Sequence, residues 1–181
     1  MSNAARVVLD GLRSGATGAV SPATSGTTLQ TPRAPRHQET IMADHAADTS
    51  RADAVATLLR HFSAGDFDAA MTLLSEEIEV RLPFQDERTG FWSHVGGKRG
   101  VRQLFAGVAK LFNPHPLHLD EVFSATDGRT VVARYHGDFV ARDTGKPYQN
   151  TYIAVFEFDG GLIRSWTEFH NPMVLAEALR P

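Results

Sequence analysis

The clearest structural signal in the sequence is the stretch YQNTYIAVFEFDGGLIRSWTEFHN, residues 148–171. Two runs rich in aromatic and β-branched residues flank the turn sequence Asp-Gly-Gly, and these turn residues tolerate a positive φ, so we predict a long β-hairpin with a tight turn. Alternate residues of a strand share a face, which places Trp166, Glu168 and His170 together on one side of the second arm. A carboxylate beside an indole on one strand face calls for a functional explanation.

Composition narrows the class of protein. The chain has 181 residues, of which 42% are hydrophobic and 22% charged, as is typical of one soluble domain with a core. Its net charge of -3 gives no reason to expect nucleic acid as a partner. The absence of cysteine excludes disulfides and thiolate chemistry. No apolar run approaches the roughly 20 residues that span a bilayer. We expect a cytoplasmic protein without a membrane partner.

The chain divides into two parts of different composition. Residues 1–50 are rich in Ala, Ser, Thr, Gly and Pro and carry little to bury, so we predict a disordered N-terminal extension. Residues 51–181 form the predicted domain.

Within this domain, helical spacing comes first and strand patterns come last. Apolar residues at i, i+3, i+4 and i+7 predict a helix over residues 53–62, and a second short helix follows the cap residue Asp66. A strand over residues 78–82 and a third helix that runs through Phe112 come next. The strands over residues 117–124 and 130–142 and the hairpin then make an antiparallel meander. This order predicts an α+β fold with helices covering one face of a curved sheet.

Three features carry a resemblance to a known family: the sequence AGDFD at residues 64–68, the start of the third helix at Gly97, and the hairpin. With these features, residues 50–181 resemble the nuclear transport factor 2-like superfamily. The similarity points within it to the SnoaL-like group of polyketide cyclases, ketosteroid isomerases and phenazine biosynthesis A/B proteins. The resemblance implies a cone-shaped α+β barrel, with three N-terminal helices packed on a strongly curved, mainly antiparallel sheet. It also implies a mostly apolar pocket and a homodimer formed through the outer face of the sheet.

The catalytic residues of these relatives carry over only in part. Ketosteroid isomerases use a tyrosine in the first helix and an aspartate before a proline in the first strand, and this chain has Leu58 and Leu82 there. The phenazine proteins use a histidine and a serine of the third helix, where this chain has Leu104 and Val108. The strand glutamate of the phenazine proteins corresponds to Glu168, which alone is retained.

Glu168 is therefore the predicted catalytic residue. In an apolar pocket against Trp166 its ionised form would be disfavoured and its pKa raised, which suits a general acid or base near neutral pH. The alternative is a glutamate that is paired with Arg134 of a neighbouring strand or with solvent.

Further residues could assist it. His170 could exchange protons with a substrate or hold Glu168 in place, or it could be a histidine at the rim of the pocket. Asn150 and Tyr152 of the adjoining arm could orient a carbonyl or hydroxyl group, or serve hydrogen bonding within the sheet. Trp166 and Trp92, the latter in a predicted loop, are the expected apolar contacts of the substrate.

The sequence predicts no metal and no cofactor. The group His115, His118, Asp120 and Glu121 invites a metal assignment, but the spacing of three places the two histidines on opposite faces of an extended strand. Phosphate-binding and dinucleotide-binding motifs are also missing from the sequence.

The predicted function is that of a small-molecule pocket protein. As an enzyme, it would be a cofactor-independent acid/base isomerase, cyclase or dehydratase acting on a small, apolar, carbonyl-bearing metabolite. The alternatives are a non-catalytic ligand-binding or accessory module of the same fold, and a small protein-interaction domain, because this fold hosts many functions.

Overall fold

The computed structural model describes residues 36–85, 92–113 and 116–181, with side chains from residue 47 onward. These residues belong to the compact unit Pro35–Pro181. The described part contains four helices: α1 (Arg36–Ala64), α2 (Phe67–Thr72), α3 (Gly97–Leu111) and α4 (Pro172–Leu179). It also contains seven strands: β1 (Leu74–Arg81), β2 (His94–Gly96), β3 (Phe112–Asn113), β4 (Leu117–Ser124), β5 (Thr130–Ala141), β6 (Pro147–Asp159) and β7 (Leu162–Phe169). None of the described helices is long and apolar enough to cross a membrane.

The strands form one mixed sheet in the order β2-β1-β7-β6-β5-β3, and β4 also pairs with β5. Strands β1 and β7 are parallel, and the other pairs are antiparallel. The curved sheet stays open among the described strands, because β2 at one end and β3 at the other do not pair. The predicted α+β class with a mainly antiparallel sheet is therefore confirmed, as a sheet that curves without closing.

Helix α1 buries the stripe that its spacing predicts. Val55, Leu58, Leu59 and Phe62 are all buried on the side that faces the sheet. The helix begins at Arg36, earlier than the start predicted at residue 53. The division of the chain at residue 50 into an extension and a domain stays a prediction.

The next two helices have the predicted positions but slightly different ends. The Asp66 side chain caps α2 by accepting a hydrogen bond from the Ala69 backbone N–H at 3.1 Å. Helix α3 ends at Leu111, and the prediction that it includes Phe112 is wrong. Phe112 has an extended backbone, with φ -125° and ψ 149°, and pairs with Ala141 of β5. Pairing at the sheet edge outweighs helical spacing at this residue.

The predicted hairpin is confirmed. Strands β6 and β7 are joined by a turn in which Gly160 has φ +61°, a conformation that glycine adopts without strain. Side chains of β6 alternate between buried and exposed along most of the strand, so one face of the sheet packs under the helices and the other is open.

The core lies between the helices and the inner face of the sheet, in two apolar clusters. The larger cluster contains an aromatic group in which the rings of Phe62 and Phe105 stack at 3.9 Å and Trp166 lies 5.6 Å from both. The smaller cluster includes Phe112 and Leu175 near α4. Residues of both clusters line a cavity between them.

Candidate functional site

A cavity of about 420 Å³ lies between α3 and the inner face of the sheet. Its walls are mostly apolar, and its few polar groups come mainly from the strands. An apolar cavity of this size with a small number of polar groups is typical of a small-molecule site. The lining residues that matter for its chemistry are Leu82, Gln85, Trp92, Leu104, Val108, Lys110, Tyr135, Tyr148, Tyr152, Trp166, Glu168 and His170.

The three residues predicted to share one face of the last strand all line this cavity. Trp166 and Glu168 alternate along β7, and His170 follows its end. Trp166 is 3% exposed, the Glu168 side chain 15% and His170 8%, so all three are largely shielded from bulk solvent. Their placement follows from the two-residue period of the strand.

The Glu168 carboxyl group is largely buried and accepts one hydrogen bond from the part of the chain that the structure describes. The Tyr135 hydroxyl donates to Glu168 Oε2. Burial raises the pKa of Glu168 to about 7, although the hydrogen bond from Tyr135 opposes the rise. The alternative pairing with Arg134 is wrong, because that guanidinium contacts Asp120 and Glu121 on the outer face of the sheet. Near neutral pH, Glu168 can therefore either accept or donate a proton.

Tyr135 was not predicted as a site residue, and neither were Tyr148 and Gln85, which also line the cavity. Tyr135 is 1% exposed, and burial together with the neighbouring Glu168 carboxylate raises its pKa well above the usual value, so the hydroxyl remains a hydrogen-bond donor. Tyr135 faces inward from β5, opposite to Arg134 and His136. The bond between Tyr135 and Glu168 could not be predicted, because strand periodicity does not reveal a contact across an intervening strand.

Two further polar groups of the cavity lining are Tyr148 and Tyr152, and the amide of Asn150 supports them from outside the cavity. The hydroxyls of Tyr148 and Tyr152 are 3.1 Å apart, and Asn150 Nδ2 donates to the Tyr148 hydroxyl over 3.4 Å. Burial raises the pKa of both tyrosines. When Tyr152 also donates to Tyr148, the proton of Tyr148 is free to donate to a ligand.

Asn150 does not line the cavity. Its Nδ2 donates to the Asn171 carbonyl at 2.9 Å, and its Oδ1 accepts from the Asn171 backbone N–H at 3.2 Å. Asn171 in turn caps α4 through its own side chain, which accepts from the Met173 backbone N–H. The amide thus joins β6 to the start of α4. The role of Asn150 in substrate binding stays a prediction, and Asn150 would act on a substrate through its bond to Tyr148.

Two buried nitrogen atoms in the cavity lining have no hydrogen-bond partner among the described residues, Trp166 Nε1 and His170 Nδ1. The indole is close enough to the Tyr135 hydroxyl to oppose the rise of its pKa, without making a hydrogen bond of normal geometry. His170 Nε2 lies 3.3 Å from Gln85 Oε1, and Nδ1 is 4.0 Å from Glu168 Oε1. Burial lowers the pKa of His170, which favours the neutral ring. Buried nitrogen atoms without a hydrogen-bond partner are rare in proteins, and these two are therefore candidates to bond a polar group of a ligand.

The remaining predicted contact, Trp92, lies at the edge of the cavity with 49% of its surface exposed. The leucine and valine side chains of Leu82, Leu104 and Val108 are part of the apolar wall. By the resemblance, these positions correspond to those of polar catalytic groups in the related enzymes. The polar chemistry of this cavity is therefore concentrated on β5, β6 and β7.

Comparisons with known proteins agree with this architecture. The sequence model of the SnoaL-like domain matches residues 55–166. The uncharacterised protein YesE of Bacillus subtilis (strain 168) is 26% identical over 113 residues, which are 62% of this chain and 76% of that protein.

Solved structures share the fold at low identity. A candidate polyketide cyclase from Xanthomonas campestris pv. campestris has a TM-score of 0.64 at 18% identity, covering 74% of this chain and 99% of that one. An epoxide hydrolase of Mycobacterium tuberculosis has a TM-score of 0.58 at 17% identity, covering 73% and 90%. These likenesses establish the fold, while the sequence match, which extends from α1 into β7, establishes that the chain belongs to the SnoaL-like domain family.

Proposed function

We propose that the chain is a cofactor-independent acid/base enzyme that acts on a small, largely apolar, carbonyl-bearing metabolite. The observation that carries this proposal is Glu168, a carboxyl group buried in an apolar cavity, held by Tyr135, with a pKa raised to about 7. An acid or base with a pKa close to the ambient pH is the most effective in proton transfer. The structural neighbours include proteins described as isomerase, cyclase and epoxide hydrolase, and this range is consistent with the proposal.

The proposed reaction begins with proton removal by Glu168. The ionised carboxylate takes a proton from the carbon beside the ligand carbonyl, and the electron pair of the broken C–H bond moves toward the carbonyl oxygen to give an enolate. Where the substrate has a carbon–carbon double bond next to that carbon, the enolate is a dienolate, and the protonated carboxyl returns the proton to its far carbon, which shifts the double bond and completes an isomerisation. In a cyclisation the enolate carbon instead attacks a second carbonyl carbon, and the carboxyl protonates the new alkoxide. In each case Glu168 ends in the ionised state in which it began.

Donors around the cavity support the developing negative charge. Trp166 Nε1–H has no partner within the described part of the chain, and the Tyr148 hydroxyl accepts a hydrogen bond from Asn150. Donors that are fixed before the reaction stabilise an enolate oxygen at little reorganisation cost. Tyr135 is a positioning residue, because its hydroxyl holds Oε2 of Glu168 and leaves Oε1 as the oxygen nearer to His170.

His170 gives the carboxyl a proton-accepting neighbour. If Nε2–H donates to Gln85 Oε1, the unpartnered Nδ1 is a lone-pair acceptor 4.0 Å from Glu168 Oε1. A ligand hydroxyl between these two atoms would bond to both. This arrangement favours substrates in which a hydroxyl or enol group lies near the carbon that loses its proton.

The second candidate is a ligand-binding module without turnover. The apolar side chains of Leu82, Leu104 and Val108 favour it, because the helix and first-strand groups that assist catalysis in the resembling enzymes are replaced.

We further propose a homodimer through the outer face of the sheet, supported by the exposed side chains of Phe123 and Ile153 on that face.

A matched pair of proteins separates the two candidates. Wild type and Glu168→Gln are incubated with a panel of ketone-bearing metabolites, with ligand binding measured by calorimetry and turnover by mass spectrometry. The amide keeps the shape of the side chain but cannot take up the proton, so we expect binding to persist and turnover to fall by roughly 10²–10⁴-fold. Turnover that is unchanged in Glu168→Gln excludes the catalytic role, and binding without turnover in the wild type supports the binding module.

A further inference from the structure

The outer face of the sheet carries a cluster of potential metal ligands on the side opposite to the cavity. His118 of β4 is the direct cross-strand partner of His136 of β5, and Asp138 follows His136 by two residues on the same face. One donor atom of each of these three side chains lies within 4.8 Å of the others. The ligands therefore come from two adjacent strands, which is why the spacing within β4 alone did not predict a site.

The two imidazoles are parallel neighbours. Their ring centroids are 4.9 Å apart and their planes differ by 21°, so both rings project from the sheet in a similar orientation. Neither the His118 ring nitrogens nor the Asp138 carboxylate makes a hydrogen bond or ion pair with the described residues. Three ligand groups of this kind can turn toward a common point without breaking another polar contact.

A second carboxylate orients His136. Asp120 Oδ1 lies 2.8 Å from His136 Nδ1, and Asp120 Oδ2 lies 3.7 Å from Arg134. Asp120 reaches this position at the irregularity in β4 between Leu119 and Glu121. When Nδ1–H donates to this carboxylate, Nε2 is left unprotonated and available to a metal. A carboxylate that accepts from a histidine ligand in this way is the common outer support of a metal site, since it fixes both the tautomer and the ring orientation.

From this geometry we propose that His118, His136 and Asp138 bind a divalent first-row cation of the zinc class, with Asp120 as the positioning residue. Two imidazoles and one carboxylate are the donor set that such cations accept, and three protein ligands leave one coordination position open to water. Ligands of a tetrahedral zinc lie about 3.3 Å apart, as follows from bond lengths of roughly 2.0–2.2 Å. From donor atoms within 4.8 Å of one another, the side chains would reach this spacing by rotating about their own bonds. The site is separate from Glu168 and is independent of the proposed reaction.

The test is metal binding by the full chain after removal of bound metal. Co²⁺ is titrated with detection of its visible absorption, calorimetry with Zn²⁺ gives the affinity and the stoichiometry per chain, and sedimentation gives the oligomeric state of the same samples. We expect saturable binding. His118→Ala, His136→Ala and Asp138→Asn should each weaken it by on the order of tenfold or more, and Asp120→Asn should weaken it by about 10–100-fold.

His94→Ala is the matched control, because His94 is also an exposed strand histidine bonded to a carboxylate, that of Glu79. It should leave the affinity unchanged, and circular dichroism should show that every variant folds. Absence of saturable binding overturns the proposal. Binding that His136→Ala leaves unchanged, or that His94→Ala abolishes, overturns it as well.

Discussion

Tyr135 and Glu168 belong to strands β5 and β7, which are separated by β6, yet the Tyr135 hydroxyl donates a hydrogen bond to Glu168 Oε2. Across β6, Glu168 is paired with Ala154, and Ala154 is paired with Ala133 of β5. Both alanines are fully buried and face the same side as the two polar groups. Their small side chains leave room for the tyrosine to reach across the intervening strand, and the cavity extends above this contact.

Tyr135→Phe should shift the pH dependence of any Glu168 reaction. The hydrogen bond favours the ionised carboxylate, so its loss raises the pKa of Glu168 further above about 7. A step that needs the carboxylate as base then requires a higher pH, and we expect the rising limb of the pH–rate profile to move upward. Ligand binding at low pH should change little.

Tyr152→Phe is the control for this change. It removes a buried hydroxyl from the same cavity, but that hydroxyl is bonded to Tyr148 and not to Glu168. An unshifted profile in Tyr135→Phe, or an equal shift in both variants, would contradict the role given to Tyr135.

The raised pKa of Glu168 also predicts how stability depends on pH. The pKa rises from 4.5 in the unfolded chain to about 7 in the folded chain, so the folded state binds the proton more tightly. Stability from this group is complete below about pH 4.5 and is lost as the pH rises to about 7, by an amount on the order of 3 kcal/mol. The lowered pKa of His170 acts in the opposite sense at acid pH.

Comparing wild type with Glu168→Gln isolates this contribution, since His170 is present in both proteins. Urea unfolding between pH 4.5 and 8 should show the free energy of unfolding of Glu168→Gln gaining on that of the wild type as the pH rises. A difference that stays constant over this range would show that the Glu168 carboxyl has an ordinary pKa.

The sequence predicted those parts of the fold that depend on local periodicity. The buried stripe of α1, the hairpin and the shared face of Trp166, Glu168 and His170 each follow from a repeat of 3.6 or 2 residues. The end of α3 was misplaced at Phe112, because its pairing with β5 is a contact between distant parts of the chain.

The polar contacts of the site were beyond the reach of periodicity for the same reason. The Tyr135–Glu168 bond crosses a strand, and the Asn150–Asn171 bonds join a strand to a helix cap. Alternation places Asn150 on the same face of β6 as Tyr148 and Tyr152, but it does not show whether the amide contacts a ligand or the backbone. Contacts of this kind require the register of the sheet, which the sequence pattern leaves open.

Asn150→Ala should act mainly on stability. It removes the two part-buried hydrogen bonds to the Asn171 backbone, which costs about 1–3 kcal/mol in total. Urea unfolding measures this loss. Gln149→Ala, a change in the exposed neighbour on the same strand, is the control and should alter stability by no more than about 0.5 kcal/mol. Equal stability of Asn150→Ala and wild type would refute the joining role of the amide.

The proposed homodimer is tested on the outer face of the sheet. Phe123 is 55% exposed and Ile153 is 48% exposed, so a lysine at either position is tolerated in a single chain but places a charge in an interface through this face. We expect Phe123→Lys combined with Ile153→Lys to sediment as a monomer with an unchanged circular dichroism spectrum. Leu162→Lys, at 41% exposure beside the hairpin turn, is the control and should leave the dimer intact. A wild type that sediments as a monomer, or a double variant that remains a dimer, would exclude this face as the interface.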